Sequence, residues 1–188
     1  NLFGIWCFRF GIYYINLFLM NNLNPKIITI GATGLVGSRV NEILSEKYSI
    51  SNLSTQSGLN ITKPDTLTPL NDSGHQYIIV YAAKTDVDGC EKDKDLRKNG
   101  EAYKINVTGI QNVVNAAKSS CKKLIYLSTD FVFDGLNPPA GGYTEEDATH
   151  PVNWYGQTKY LGEQALQNSG LPFLIIRIGY PYRKEPFA

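Results

Sequence analysis

Cysteine and histidine are scarce in this 188-residue chain: the cysteines are three, Cys7, Cys90 and Cys121, and the histidines two, His75 and His150. The cysteines lie far apart and form no CxxC pair. That excludes a disulfide framework and a zinc site as organising devices, and it fits a reducing, cytoplasmic setting. An excess of one charge is missing too. Lys and Arg number 18 against 17 Asp and Glu, giving +1, and they are scattered, so no basic face advertises nucleic acid. The acidic run Glu145-Glu146-Asp147 reads as a solvated loop, and no metal is expected. Repeats, low-complexity runs and an interdomain linker are also lacking. What remains is 43% hydrophobic and 19% charged, the composition of one globular domain with a full core.

A long apolar run is nearly present. Residues 1–19, NLFGIWCFRFGIYYINLFL, carry Arg9 as their only charge, the chain does not begin with Met, and its only Met is Met20. A transmembrane or signal-anchor segment needs about 20 apolar residues and tolerates a central Arg poorly. A signal peptide needs a basic start and a small-residue cleavage site, which are not there. The preferred reading is translated sequence upstream of a start at Met20, with a membrane segment or a partly buried extra element as alternatives. Residues 20–188 are then the folded domain, and membrane attachment is not expected.

The chain is organised around Lys26 to Gly37, KIITIGATGLVG. Ile27-Ile28-Thr29-Ile30 is short, β-branched and stopped by glycine, which predicts a buried parallel strand. Val36, Val40, Ile43 and Leu44 then recur at helical spacing. Strand, glycine turn and helix form the context of a dinucleotide-binding fingerprint. Gly31 serves the tight turn, Gly34 the approach of backbone to a pyrophosphate, and Gly37 the packing of helix on strand. The helix N-terminus offers unpaired N–H groups to phosphate. A second strand at Tyr48–Leu53 ends in Ser54-Thr55-Gln56-Ser57, where neither a carboxylate for a ribose 2′-hydroxyl nor an Arg for a 2′-phosphate stands. NAD and NADP both remain open, with a slight lean to NADP.

Further strands are expected at Tyr77–Tyr81, Leu124–Leu127 and Phe173–Ile178. Helices are expected after Gly37, from Ala102 to Ala117 and from Asn153 to Asn168, with a short helix and loop near Pro64–Asp72. The charged stretch through Lys98 reads as solvated, and Phe131 to Ala148 as a long loop. Strands alternating with helices predict an α/β fold, a doubly wound parallel sheet of Rossmann type with helices on both faces. Ligands bind beyond the carboxyl ends of such strands. Ser128 and Thr129 follow one strand there, and Tyr155 and Lys159 share a face of the next helix. A tyrosine has a pKa near 10, and a fixed ammonium nearby would lower it. A hydroxyl about 3 Å from a substrate carbonyl would help to place it.

Four stretches together resemble the extended short-chain dehydrogenase/reductases, in particular their dTDP-4-dehydrorhamnose reductase-like branch. These are Ile30 to Gly37, the segment Ala82-Ala83-Lys84-Thr85-Asp86-Val87-Asp88-Gly89-Cys90-Glu91, then Leu124 to Gly135 (LIYLSTDFVFDG), and Pro151 to Glu163 (PVNWYGQTKYLGE). The likeness runs from about Pro25 to Tyr182. It implies an NAD(P)-dependent reductase of a nucleotide-linked 4-keto-sugar. Tyr155 would donate the proton, Lys159 would hold the nicotinamide ribose and lower the tyrosine pKa, and Thr129 would bind the reacting oxygen, with Asp130 touching the sugar. The cofactor would lie along Gly31, Thr33, Gly34, Leu35, Val36 and Gly37, with Asn60 and Ile61 by adenine. Ala82, Ala83, Lys84, Thr85 and Leu127 would line its inner half.

Several positions depart from the family pattern. Tyr81 stands where Asn is usual, Asn60 replaces an Asp, and Pro181 interrupts the stretch after the last strand. Asn106 matches a family Asn that serves either the site or a bridge between helices. The end at Ala188, short of the smaller substrate lobe that family members carry, implies a C-terminally truncated piece of a longer reading frame. Two alternatives are implied by the same likeness: a sugar-nucleotide epimerase or dehydratase, and a cofactor-binding regulatory subunit like methionine adenosyltransferase beta. Partners would be the nucleotide sugar and, for the second alternative, a larger enzyme; a homodimer is also allowed.

Overall fold

The computed structural model describes residues 8–19, 25–72, 74–136 and 138–179. The sequence reading at 180–183 lies outside the described residues. Five strands, β1 (Lys26–Ile30), β2 (Ser49–Leu53), β3 (Tyr77–Val80), β4 (Lys123–Thr129) and β5 (Phe173–Ile178), form one parallel sheet in the order β2-β1-β3-β4-β5. The strand order reverses between β1 and β3, so a crevice opens at their carboxyl ends. This is the doubly wound Rossmann-type α/β fold.

Alternation along the strands assigns the two faces. Ile28 and Ile30 of β1, Ile78 and Val80 of β3, and Leu124 and Tyr126 of β4 join one buried cluster. Val113 and Val114 of α5 (Ile110–Ser119) and Leu166 of α6 (Trp154–Gln167) complete it. Ile27, Ile79, Ile125 and Ile176 face the other way, onto Val40 and Leu44 of α2 (Leu35–Ser45). Both faces are therefore apolar and covered, and the interior strands read as unbroken hydrophobic runs.

Helix α1 (Phe8–Leu19) lies on the α2 face, with Ile15 and Leu19 buried. Tyr48 donates to Asn16 Oδ1 at 3.0 Å, and Tyr77 donates to the Phe18 carbonyl at 3.3 Å. Among the described residues no helix is long and apolar enough to cross a membrane.

Two details differ from the periodicity. The expected helix from Ala102 is a continuous helical run in three parts: α4 (Glu101–Tyr103), a π turn at Lys104–Gly109, then α5. Apolar spacing near 3.6 hides one extra residue in a single turn, so no pattern marked it. The stretch taken as solvated is also partly built in. Helix α3 (Val87–Lys92) is capped by the Asp86 carboxylate, which accepts from Gly89 N–H at 3.0 Å. Its Cys90 is fully buried, and Asp93 accepts from Ala102 N–H at 2.6 Å. Charge count alone does not distinguish a capping carboxylate from a solvated one.

Candidate functional site

The crevice is a cavity of about 870 Å³. One end is the glycine turn. Gly31 has φ +80°, and a Cβ there would stand 2.7 Å from the Ala82 backbone nitrogen, so only glycine lets β1 turn against the end of β3. Gly37 allows the first turn of α2 to sit on Ala32 and the Tyr81 ring, where a Cβ would be 2.8 Å and 3.0 Å away. At Gly34 the surroundings are open, the nearest atom to a Cβ being Gly31 O at 3.8 Å. Gly34 is also the N-cap of α2, without a side-chain cap. The helix thus presents the N–H groups of its first turn, and its positive dipole end, to the cavity.

Thr33, Leu35 and Val36 complete this wall, and Ser54 and Thr55 border it from the end of β2. Asn60 and Ile61 line the same end. The Asn60 side chain is engaged locally, accepting from Thr62 N–H at 2.9 Å and Thr62 hydroxyl at 2.8 Å. It shapes the loop, and the Asp usual there is replaced without loss of a turn acceptor.

Ala82, Ala83 and Thr85 follow β3 into the cavity, but Lys84 is not among the lining residues. Its ammonium turns away to Glu101 at 2.9 Å. Its backbone is clamped by the fully buried Asn106, whose Oδ1 accepts from Lys84 N–H at 2.8 Å and whose amide donates to Lys84 O at 3.0 Å. The same amide donates to Thr158 Oγ1 at 3.0 Å, tying this loop to α6. The bridging role open to Asn106 from the sequence is the one its contacts display.

The far end of the cavity brings together Leu127, Thr129, Asp130, Tyr155 and Lys159. Asn153 caps α6, accepting from Gly156 N–H at 2.8 Å, and so aims the first turn with Tyr155 at the end of β4. The Thr129 hydroxyl donates to Asp130 Oδ1 at 3.1 Å and accepts from Phe131 N–H at 3.2 Å. Phe131 sets its ring edge-on to Tyr155, with centroids 5.7 Å apart.

Lys159 is only 2% exposed. Its ammonium donates to Leu127 O at 2.6 Å and lies 4.0 Å from the centre of the Tyr126 ring. Burial pulls its pKa down to about 7, opposed by the Glu163 carboxylate. Burial likewise raises the pKa of Tyr155, opposed by the neighbouring Thr129 hydroxyl. The expected depression of the tyrosine pKa by Lys159 is therefore not what this arrangement does. The direction is upward because the phenol is desolvated, and Lys159 is not among the groups that set it.

A stability measurement checks the buried amine. Between a folded pKa of about 7 and the ordinary 10.5, the unfolded chain holds a proton that the folded chain lacks. Stability from this group accordingly rises with pH across that window. Unfolding in denaturant should show the wild type gaining about 2 kcal/mol on Lys159→Met between pH 7 and pH 9. Parallel curves for the two proteins would mean that Lys159 is not desolvated.

Ser54, Thr55, Tyr81, Ile105, Phe131 and Ile178 also line the cavity and were not singled out as site residues from the sequence. Position directly after a strand was the available signal for the first two and for Ile178, which ends β5. Ile105 is brought in by the π turn and had none.

The model of the RmlD substrate binding domain matches residues 25–186. A dTDP-4-dehydrorhamnose reductase of Aggregatibacter actinomycetemcomitans is 31% identical over 84% of this chain and 52% of its own. Methionine adenosyltransferase 2 subunit beta of Bos taurus is 32% identical over 87% of this chain and 49% of its own. The chain thus spans about half the length of these curated relatives. A crystal structure of dTDP-4-dehydrorhamnose reductase from Bacillus anthracis in complex with NADP superposes with a TM-score of 0.72 at 36% identity, covering 82% of this chain and 53% of that one. Sheet order, glycine turn and family match agree: the chain belongs to the RmlD substrate binding domain family, in the dTDP-4-dehydrorhamnose reductase-like branch of the extended short-chain dehydrogenase/reductases.

Proposed function

We propose that this chain is the cofactor-binding part of an NAD(P)-dependent oxidoreductase that reduces a nucleotide-linked 4-keto-sugar. One observation carries the reading. A single cavity runs from an uncapped helix N-terminus beside Gly34 to a buried lysine, a tyrosine and a threonine at the end of β4. The residues fit a dinucleotide. Open space at Gly34 accommodates phosphate against the first turn of α2, and the small Ala82 and Ala83 admit a flat ring beside backbone. Without a carboxylate after β2, a 2′-phosphate meets no repulsion from this wall. The Bacillus anthracis relative, solved with NADP, supports the same lean.

When bound, a reduced nicotinamide supplies hydride to a carbonyl carbon. The chain's own residues handle the oxygen. Thr129 donates a hydrogen bond toward it and fixes its place, leaving its present partner Asp130. Tyr155 gives its phenolic proton to the oxygen as negative charge develops there. A raised pKa keeps that proton on Tyr155 until it is needed. Lys159 would hold the nicotinamide ribose and would offer a donor, or a positive charge, to the resulting phenolate. Phe131 and Ile178 give this end an apolar lining.

A second reading has its own observation, the likeness to methionine adenosyltransferase 2 subunit beta. There the same cavity would hold a cofactor for binding alone. The test is fluorescence titration of the chain with NADPH and NADH, followed by NADPH consumption with a dTDP-linked 4-keto-sugar on the complete gene product. Saturable NADPH binding with turnover supports the reductase. Binding without turnover supports the subunit, and no binding by folded protein overturns both.

A further inference from the structure

The loop between β4 and α6 begins at Thr129-Asp130-Phe131 and ends at the cap of the helix that carries Tyr155. Its middle is held by a side chain from a different strand. Arg177 of β5 makes a two-pronged ion pair with the fully buried Glu163 of α6: Nε donates to Oε1 at 3.0 Å and Nη2 to Oε2 at 2.7 Å. Cζ of the same guanidinium lies over the Phe133 ring, 5.0 Å from its centre. Phe133 in turn stacks flat on Tyr143, with centroids 4.4 Å apart and planes at 6°. Tyr143 donates to Asp134 Oδ1 at 2.7 Å, and Leu136 N–H donates to the same oxygen at 3.0 Å. Arg177 is paired with Ser128 across the sheet and precedes Ile178, which lines the cavity.

We propose that Arg177 is a positioning residue: it locks the Phe133–Tyr143 part of the loop to the helix bearing Tyr155 and Lys159, and so holds in place Asp130 and Phe131, the residues at the start of this loop that line the cavity. Its consequence for substrate rests on the reductase reading above; the clamp itself does not. The chemistry calls for arginine. A planar fork satisfies both oxygens of Glu163 in its plane and leaves a face for the ring. A lysine ammonium is a point charge and does not do both. Because Glu163 is buried, the pair contributes little net stability over an apolar pair of equal volume, so its worth here is in placement. The loop gains a tether to α6 that no backbone ladder supplies.

Hydrogen exchange on the chain, with and without NADPH, tests this through Arg177→Lys and Phe133→Leu. Arg177→Lys should speed exchange across residues 131–148 by about tenfold or more, while β1 and β3 keep wild-type protection and NADPH affinity changes by less than about threefold. Phe133→Leu breaks the stack and leaves the buried pair intact. It should loosen the same loop while α6 exchanges as before. On the complete gene product both variants should raise KM for the keto-sugar by about tenfold, with kcat much less affected. Faster exchange spread evenly over the sheet in Arg177→Lys, or an unchanged loop in Phe133→Leu, overturns the proposal. Should Arg177→Lys fail to fold, Phe133→Leu decides alone. Failure of the wild type to bind NADPH would sink the cofactor reading and leave the exchange result standing.

Discussion

Gly34→Asp should weaken NADPH binding by about a thousandfold or more while leaving the melting temperature of the chain equal to or above wild type. Both effects have one origin. Gly34 is the N-cap of α2, in extended conformation at φ −77° and ψ 171°, with no side-chain hydrogen bond to the first turn. Asp is among the best N-cap residues and is a few tenths of a kcal/mol better than Gly there. Its Cβ meets nothing closer than 3.8 Å, so the fold accepts it. The carboxylate then occupies the N–H groups and the dipole end on which a pyrophosphate would rest, and repels a second anion. An affinity loss of about a thousandfold or more, with a melting point equal to or above wild type, is the expected result. Gly31 and Gly37 do not offer so clean a test. A side chain at either collides with backbone or with Tyr81, and lost binding would only report a damaged fold. Binding by Gly34→Asp within tenfold of wild type would move the phosphate site elsewhere.

On the proposed reductase reading, Tyr155→Phe in the complete gene product should lower keto-sugar turnover by about a hundredfold to ten-thousandfold, the usual span for removing a positioned general acid. The ring stays: it is largely buried, edge-on to Phe131, and packs with Cys90 and Ala102. Only the hydroxyl beside Thr129 is lost, so NADPH affinity should change by less than about threefold. The pH profile sharpens the test. Since burial raises the pKa of Tyr155, the phenol keeps its proton through neutral and mildly alkaline pH, and wild-type turnover should hold there rather than decline. Steady-state rates from pH 6 to 9, for both proteins, check both statements. Turnover within threefold of wild type in Tyr155→Phe would remove the phenol from the chemistry.

Much of this arrangement was legible because strands announce themselves when both faces are buried. The bounds Phe173–Ile178 follow from the sequence to the residue, and position after strands and along one helix is enough to bring the glycine turn, Thr129, Tyr155 and Lys159 to one cavity. Features set by through-space charge and desolvation were not legible. Whether Lys159 lowers the pKa of Tyr155 depends on how dry each group is, and burial is a property of the assembled fold. Lys84 followed the cofactor motif in sequence, yet its side chain is claimed by Glu101, a helix away. The second duty of Arg177 likewise needed Phe133 to be seen across the loop. Sequence reports which face a side chain takes; partners distant along the chain decide what it does there.

The π turn at Lys104–Gly109 shifts the phase of the helix that contains it. Residues before and after it are out of step by one position, so the run addresses two surroundings at once. Downstream, Val113, Val114 and Ala117 keep step with the sheet core. Within the turn, Ile105 looks into the cavity while Asn106 grips Lys84 and Thr158. Gly109 follows without a side chain because a Cβ would sit 2.7 Å from Ile61, another cavity residue. The turn thus touches the wall near Ile61, the loop after β3 and the helix of Tyr155 through three neighbouring positions. Excising one residue would turn one part of the run by about 100° against the other, so that Ile105 and Asn106 could not meet the cavity and Lys84 while Val113, Val114 and Ala117 keep the sheet core.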